Sequence, residues 1–268
     1  MKAIHNLLNP DTINVIKMLD QFEYMEMHCL VFEMLDKSLK HWIRNEKKSL
    51  PLKSIRVIAQ QLVGALDGLI SLGIIHCDLK PDNVMFVNTE EKPLRVKIID
   101  FGSARHTTNT IIGMECQALI YRAPEVFLGL PITTAIDMWG LGCILAFLYL
   151  GDHFFKAYSK YEMMKSIVIL VGKPYENLLD AGIYTKEYFI EEEGACGPVW
   201  RLKSQEEYGK IWPLAEPVTA LSSLMDLLTV HDSAETEKRQ FFDLLQKMLN
   251  PNVYGRIFPC EVLWHPFF

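Results

Sequence analysis

The 268-residue sequence predicts an α+β protein, with strands early in the chain and helices dominating the rest. Three observations carry that expectation. The apolar runs of strand length, "HCLVFEML", "VMFV" and "RVKIID", all fall at or before Asp100. An apolar repeat of helical spacing runs from Leu52 to Leu72, and a second, amphipathic one closes the chain from Thr236 to Leu249. Half of all residues are hydrophobic, enough to bury a sizeable core in one large or two small globular units.

Taken in order, His28 to Leu35 reads as a buried strand leaving into a linker, because it gives way to the polar, helically patterned "DKSLKHWIRNEKK". In the next helix Ile55, Ile58, Leu62, Leu66, Leu69 and Ile70 recur at spacings of three and four, with Pro51 before the run and Gly73 closing it. "VMFV" and "RVKIID", joined by the turn-rich "NTEEKPL", have the pattern of a hairpin. "FGSARHTTNTIIGMECQALIYRAPE" has no sustained period and reads as a long loop, a feature that points to function in a compact domain. Helices are expected over Ala135 to Leu150 and Tyr161 to Val171, and the closing helix sets Phe241, Leu244, Leu245 and Met248 on one side. Gly172 to Asp232 reads only as insert-like loops with short helices.

Composition removes several classes of function. Lysine and arginine total 27 against 33 acidic residues, a net charge of -6, so no excess of positive charge is present to neutralise a nucleic-acid backbone. The six cysteines (Cys29, Cys77, Cys116, Cys143, Cys196, Cys260) contain no C-x-x-C pair, which argues against zinc ribbons and a disulfide framework. "MKAIHNLLNPDT" lacks the continuous apolar core of a secretory leader, and a reducing compartment is expected. The most apolar run, Met138 to Gly151, is 14 uncharged residues between Asp137 and Asp152. That falls short of the roughly 18 needed to span a bilayer, so a buried helix is expected and no membrane partner.

Chemistry concentrates in "IIHCDLKPDN", Ile74 to Asn83. An Asp behind a His, a Lys two residues on and an Asn three beyond that supply a proton acceptor, a partner for phosphate charge and a hard oxygen ligand. A further carboxylate, Asp100 in "IIDFG", arrives at the end of the second hairpin strand. Asn and Asp oxygens together suit magnesium, which keeps several waters and is commonly completed by substrate phosphates. Alone, His76 would more often be a satisfied core histidine and an Asp-x-Lys a solvated surface pair. Only the motifs that accompany them overturn that reading.

"HCDLKPDN", "DFG" and "APE" follow one another at the spacing of a protein kinase, and "AIDMWGLGC" and "GRIFPCEVLWHPFF" complete the series. From about Val31 to its end the chain resembles a eukaryotic protein kinase large lobe. "LGLPITTAIDMWGLGCIL" and "VWRLKSQEEY" bring it nearest the homeodomain-interacting protein kinases, while Cys77 is more like the sister dual-specificity tyrosine-regulated kinases. The resemblance implies a protein-kinase-like fold and an ATP- and magnesium-dependent serine/threonine kinase acting on protein hydroxyls. Asp78 would accept the substrate proton and Lys80 offset phosphoryl charge, with Asn83 and Asp100 on magnesium. Phe32 would guard the back of the adenine pocket, Glu33 and Leu35 offer backbone hydrogen bonds, and Met85 form an apolar floor. His76 and Phe101 would be packing supports, Glu125 would pair with Arg256, and Asp137 would brace the catalytic loop. Cys77 is expected as a small buried filler in preference to a redox switch, since nothing near it in sequence lowers its pKa.

The chain also departs from the family. A Gly-rich loop, a third-strand Lys and the helical Glu that positions it are not visible, and the first glycine is Gly64. "NVIK" resembles the Lys-bearing strand, but only 15 residues separate Lys17 from Phe32, too few for a helix and two strands. Residues 1–32 are therefore expected to be the remnant of a small lobe, the end of a helix plus two strands with Ile4 as a core contact, and 33–268 the hinge and large lobe. Met1 is then either an internal methionine of a longer protein or the start of a gene that lost its front. In the activation segment Glu115 stands where the resembled group has an autophosphorylated Tyr, Ala118 replaces a Ser and Leu119 an Arg. A Glu imitates a phosphate in part, with one charge against roughly one and a half to two. The alternative function is a catalytically inactive remnant that binds proteins through exposed large-lobe surface. Nuclear or cytoplasmic residence follows by analogy.

Overall fold

The computed structural model describes residues 4, 9, 12–46, 49–194, 197–209 and 235–268. Near its start, β1 (Met18–Tyr24) and β2 (Met27–Phe32) form an antiparallel hairpin. Its turn residues Met25 and Glu26 both take left-handed φ angles, 48° and 62°, as a tight two-residue turn demands. After the linker, α1 (Leu39–Glu46) buries only Leu39 and Ile43, one stripe at i, i+4.

The long helix α2 (Leu52–Ser71) starts after Pro51 in extended conformation and ends where Gly73 turns the chain at φ 65°. It is followed by β3 (Ile74–Ile75), then β4 (Val84–Asn88) and β5 (Lys92–Ile98), an antiparallel pair running from Val84 opposite Ile98 to Asn88 opposite Lys92. Gln61 on α2 fastens that pair: its carboxamide oxygen accepts from Val96 N and its nitrogen donates to Leu94 O, at 3.1 and 2.7 Å. The expected long loop contains three 3₁₀ turns and one short strand, β6 (Arg105–His106), which pairs with β3.

Beyond it lie α3 (Pro124–Phe127) and α4 (Ala135–Leu150). Every residue of α4 from Ile136 to Leu148 is buried, which is why its sequence is apolar on all sides and not striped. Glycines permit the close packing: a β-carbon on Gly142 would meet Leu249 Cδ2 at 2.9 Å and Met248 Cβ at 3.0 Å. Next come α5 (Lys160–Leu170), opened by a Ser159/Glu162 capping box, then α6 (Glu176–Ala181) and α7 (Thr185–Tyr188). The antiparallel hairpin of β7 (Phe189–Gly194) and β8 (Gly197–Leu202) follows, then α8 (Gln205–Gly209). Last are α9 (Glu235–Met248), packed on α4, and α10 (Pro259–Val262), against α2.

Two expectations need correction. Over Gly172 to Asp232 the sequence reads as insert-like loops with short helices and no strand, yet the described part also contains β7 and β8; residues 195–196 and 210–232 of that stretch lie outside the described residues. The acidic Glu191–Glu193 run and Pro198 mask the strand alternation. The strand expected to be buried from His28 is β2, and it is largely exposed. The register puts Phe22, Tyr24, Met27 and Val31 on one face of the hairpin, and among the described residues nothing covers it. Ile4, by contrast, is within the apolar core. No helix among the described residues is long and apolar enough to cross a membrane.

Phe22 and Met27 are 49% and 60% exposed, so this apolar face favours association of the 268-residue chain at high concentration. Light scattering over a concentration series should report species larger than the monomer. The double change Phe22→Lys, Met27→Lys should return the chain toward monomer while altering unfolding stability by no more than about 1 kcal/mol. A wild-type chain that stays monomeric at high concentration would contradict this.

Candidate active site

Three residues of the loop after β3, His76, Cys77 and Asn83, are held by partners distant in sequence. Asp137, in the first turn of α4, is buried, and its carboxylate accepts His76 N at 2.6 Å and Cys77 N at 3.1 Å. Burial pushes the Asp137 carboxyl upward, opposed by nearby His76 and by these two amides. Cys77 takes the left-handed region, φ 65°, which turns its amide toward that carboxylate. His76 Nδ1 accepts from Asp78 N at 3.3 Å, so Nε2 is the nitrogen that donates to Ile99 O at 2.9 Å. Ile99 N in turn donates to Asn83 O at 2.9 Å. These bonds stitch the loop to the end of β5 and set Asp100 beside it.

Within the loop, Lys80 Nζ reaches Asp78 Oδ2 at 2.6 Å and Asn83 Nδ2 reaches the same oxygen at 3.1 Å. Asn83 Nδ2 also donates to Asp78 O at 2.9 Å, which fixes the orientation of its amide and directs the carbonyl oxygen away from Asp78. Among the described residues nothing bonds Asp78 Oδ1. Asp100 has φ 57° and ψ 75°, and its Oδ1 accepts Gly102 N at 3.2 Å. The ring of Phe101 stands edge-on to His76, centroids 4.9 Å apart. Asp78, Lys80, Asn83 and Asp100 thus share one site, with His76 and Phe101 packed behind it.

The protein kinase domain family matches residues 2–268. The chain belongs to the protein kinase family. Homeodomain-interacting protein kinase 2 of Mesocricetus auratus is 40% identical over 96% of the chain, covering 23% of that protein. Homeodomain-interacting protein kinase 1 of Mus musculus is 40% identical over 97% of the chain and 23% of its own length. Homeodomain-interacting protein kinase 4 of Homo sapiens is 34% identical over 100% of the chain and 47% of its own length. The chain therefore spans about a quarter to a half of the curated relatives it matches. Its α+β architecture is a protein-kinase fold.

In this kinase domain the segment from Phe32 to Leu35 is fixed mainly through Glu33. Its carboxylate oxygen Oε1 accepts Lys17 N at 2.7 Å and Lys97 Nζ at 2.6 Å, while its amide donates to Lys17 O at 3.0 Å. The Glu33 amide is thus occupied. No backbone bond among the described residues engages Leu35, and Phe32 and Met85 are half-buried. Glu125 and Arg256 form a buried bidentate pair at 2.6 and 2.9 Å. Asn250 O and Ala135 O accept the remaining guanidinium hydrogens.

The activation segment is anchored at Gln117, a residue that sequence reasoning did not single out. It is buried with φ 65°; its amide donates to Cys77 O, its Oε1 accepts Ala123 N and its Nε2 donates to Ile136 O, each at 2.9 Å. One residue ties the catalytic loop, the "APE" turn and α4 together. Glu115 bonds Lys160 Nζ on α5 and lies 3.4 Å from Arg122 Nη1. The Lys160 hydrogen bond, reinforced by Arg122, holds the Glu115 carboxyl below the usual carboxylate range. Lys97 was also missed: it alternates normally within a strand, and only the fold reveals that it is buried against Glu33.

Glu125→Gln would leave Arg256 buried without its counter-charge, at a cost of about 3–5 kcal/mol. Lys156→Ala breaks the exposed Lys156–Asp152 pair and should cost less than about 1 kcal/mol. Urea unfolding midpoints for both variants check the contrast. Equal losses would contradict it.

Proposed function

We propose that this chain is the catalytic portion of an ATP-dependent serine/threonine protein kinase, dividing at Phe32/Glu33 into a small-lobe remnant and a hinge with large lobe. The observation that carries the proposal is the Asp78 carboxylate. Lys80 and Asn83 converge on its Oδ2 and leave Oδ1 open. On this reading Oδ1 accepts the proton of a substrate hydroxyl as its oxygen attacks phosphorus, and Lys80 offsets charge on the transferring phosphoryl group.

The donor set fits magnesium and a nucleotide. Asn83 has its amide hydrogens turned to Asp78 and its carbonyl oxygen free to ligate; Asp100 Oδ1 accepts Gly102 N, leaving Oδ2 for a cation. Magnesium takes one or two protein oxygens and is completed by waters and substrate phosphates, which two such ligands would suit. Bound there, magnesium would neutralise phosphate charge and orient the transferring group. Phe32 and Met85 would flank the adenine. Since the Glu33 amide is spent on Lys17, the hydrogen bonds offered to the base come from the Glu33 carbonyl and from Leu35. Protein substrates, without direct nucleic-acid binding, and nuclear or cytoplasmic residence are the corresponding readings by likeness to the homeodomain-interacting protein kinases.

A second reading is favoured by one observation, the exposed apolar face that Phe22, Tyr24, Met27 and Val31 form on the β1–β2 hairpin, a surface suited to meeting another protein. The chain would then be an inactive kinase lobe that binds other proteins. Thermal shift separates the two. ATP with magnesium at about a hundred times its dissociation constant should stabilise the chain by about 2.7 kcal/mol. Asp100→Asn should lose the magnesium-dependent part, whereas Asp78→Asn should keep the shift and lose at least about a hundredfold in phosphoryl transfer. Absence of both shift and transfer favours the binding module.

Glu115 is proposed to stand in for a phosphate that steadies the activation segment. Glu115→Gln should lower phosphorylation of a peptide substrate by about two- to fivefold, the scale of part-exposed ion pairs. Unchanged activity would count against that role.

A further inference from the structure

Cys77 and Cys116 are 39 positions apart in sequence, yet they adjoin one another in the fold. The amide of Gln117, next after Cys116, donates to Cys77 O at 2.9 Å. That bond sets the two segments side by side, and a disulfide needs roughly 4.4–6.8 Å between α-carbons. The Cys77 thiol is fully buried and lies 3.6 Å from Ile75 O, and the Cys116 thiol is near enough to shift its pKa. Cys116 is half-buried and is the accessible member of the pair.

We propose that Cys77 and Cys116 are an oxidisable pair whose disulfide, formed by a hydroperoxide, ties the catalytic loop to the activation segment. Accessibility sets the order of events. Cys116 sulfur attacks one peroxide oxygen, the O–O bond breaks, and a first water leaves behind a sulfenic acid on Cys116. Cys77 sulfur then attacks the Cys116 sulfur, the S–O bond breaks, and the Cys77 proton departs in a second water. Two thiols lose two electrons, and one hydrogen peroxide becomes two waters. The nearby Cys116 thiol, and burial, push the Cys77 thiol upward, which leaves Cys116 as the thiol to react first.

Cys77 is buried, as its reading as a small filler expects, and the proposed pairing adds a second role to it. No neighbour in sequence announces it, because its partner belongs to a loop without periodicity. Formation of the bond does not depend on the kinase reading. Its effect on catalysis does: Cys77 immediately precedes Asp78, so the bond would impede phosphorylation of a protein substrate while leaving a nucleotide-induced thermal shift in place.

The test uses the full chain, limiting hydrogen peroxide, alkylation with N-ethylmaleimide, and non-reducing peptide mapping. The expected product is a Cys77–Cys116 cross-linked peptide that dithiothreitol reverses. It should persist in Cys29→Ser and Cys260→Ser and vanish in Cys116→Ser. In Cys77→Ala, dimedone labelling of Cys116 should rise severalfold because the resolving thiol is gone. Recovery of both thiols alkylated, linkage of Cys116 to any other cysteine, or unchanged dimedone labelling would overturn the proposal. The readout is covalent and needs no nucleotide, so its failure is distinct from a failure of the kinase assay.

Discussion

Asp137 is a carboxylate 3% exposed inside the protein, and two backbone amides make that placement tolerable. Burying a charge without such partners costs several kcal/mol, so α4 and the catalytic loop are conditions for one another. The loop meets its half through Cys77: an L-residue in the left-handed region pays about 1–2 kcal/mol, which the hydrogen bond to a charged acceptor offsets. The helix meets its half through Gly140, where an added β-carbon would come within 3.1 Å of Leu79 O. With the loop seated that closely, Asp78, Lys80 and Asn83 have one place to stand, and Gln117 extends the same anchorage to the activation segment.

Much of this was legible because its causes are local. Helix α2 announces itself by three- and four-residue spacing and a terminal glycine, α4 by an unbroken apolar run, and β4–β5 by two short runs around a turn. The candidate site residues from His76 to Asn83 were legible for the same reason: they are neighbours in sequence before they are neighbours in space. What escaped notice depends on distant partners. Lys97 sits within "RVKIID", where alternation gives no sign that a lysine will be 2% exposed beneath Glu33. Gln117 and Gln61 are ordinary polar residues until the fold aims their carboxamides at unpaired backbone groups. The exposure of β2 was not legible either, since strand composition reports a half-buried surface without saying what buries it.

The β1–β2 hairpin and the Glu33–Leu35 segment that follows it are stabilised by different means. The β1–β2 face leaves Phe22, Tyr24, Met27 and Val31 to solvent, and a two-stranded hairpin is marginal on its own. The end of that hairpin and the residues before it are nevertheless fastened to β5 and α2. Ile16 N donates to Ile98 O, Ile98 N donates to Asn14 O, and Lys97 lies against Glu33. Asn14 also bonds Gln61 on α2 and Val96 O, at 3.1 and 3.0 Å. These contacts converge on β5, and Asp100 follows β5 by two residues. The edge of the proposed nucleotide site is therefore held from beneath, by the strand that delivers Asp100, and does not rely on cover above the hairpin. Loosening at the exposed face would reach the tip of the hairpin first. The bonds at Glu33 and Ile98 keep Phe32 to Leu35 in register with the catalytic loop, which allows an incompletely covered hairpin and an ordered site to coexist in one chain.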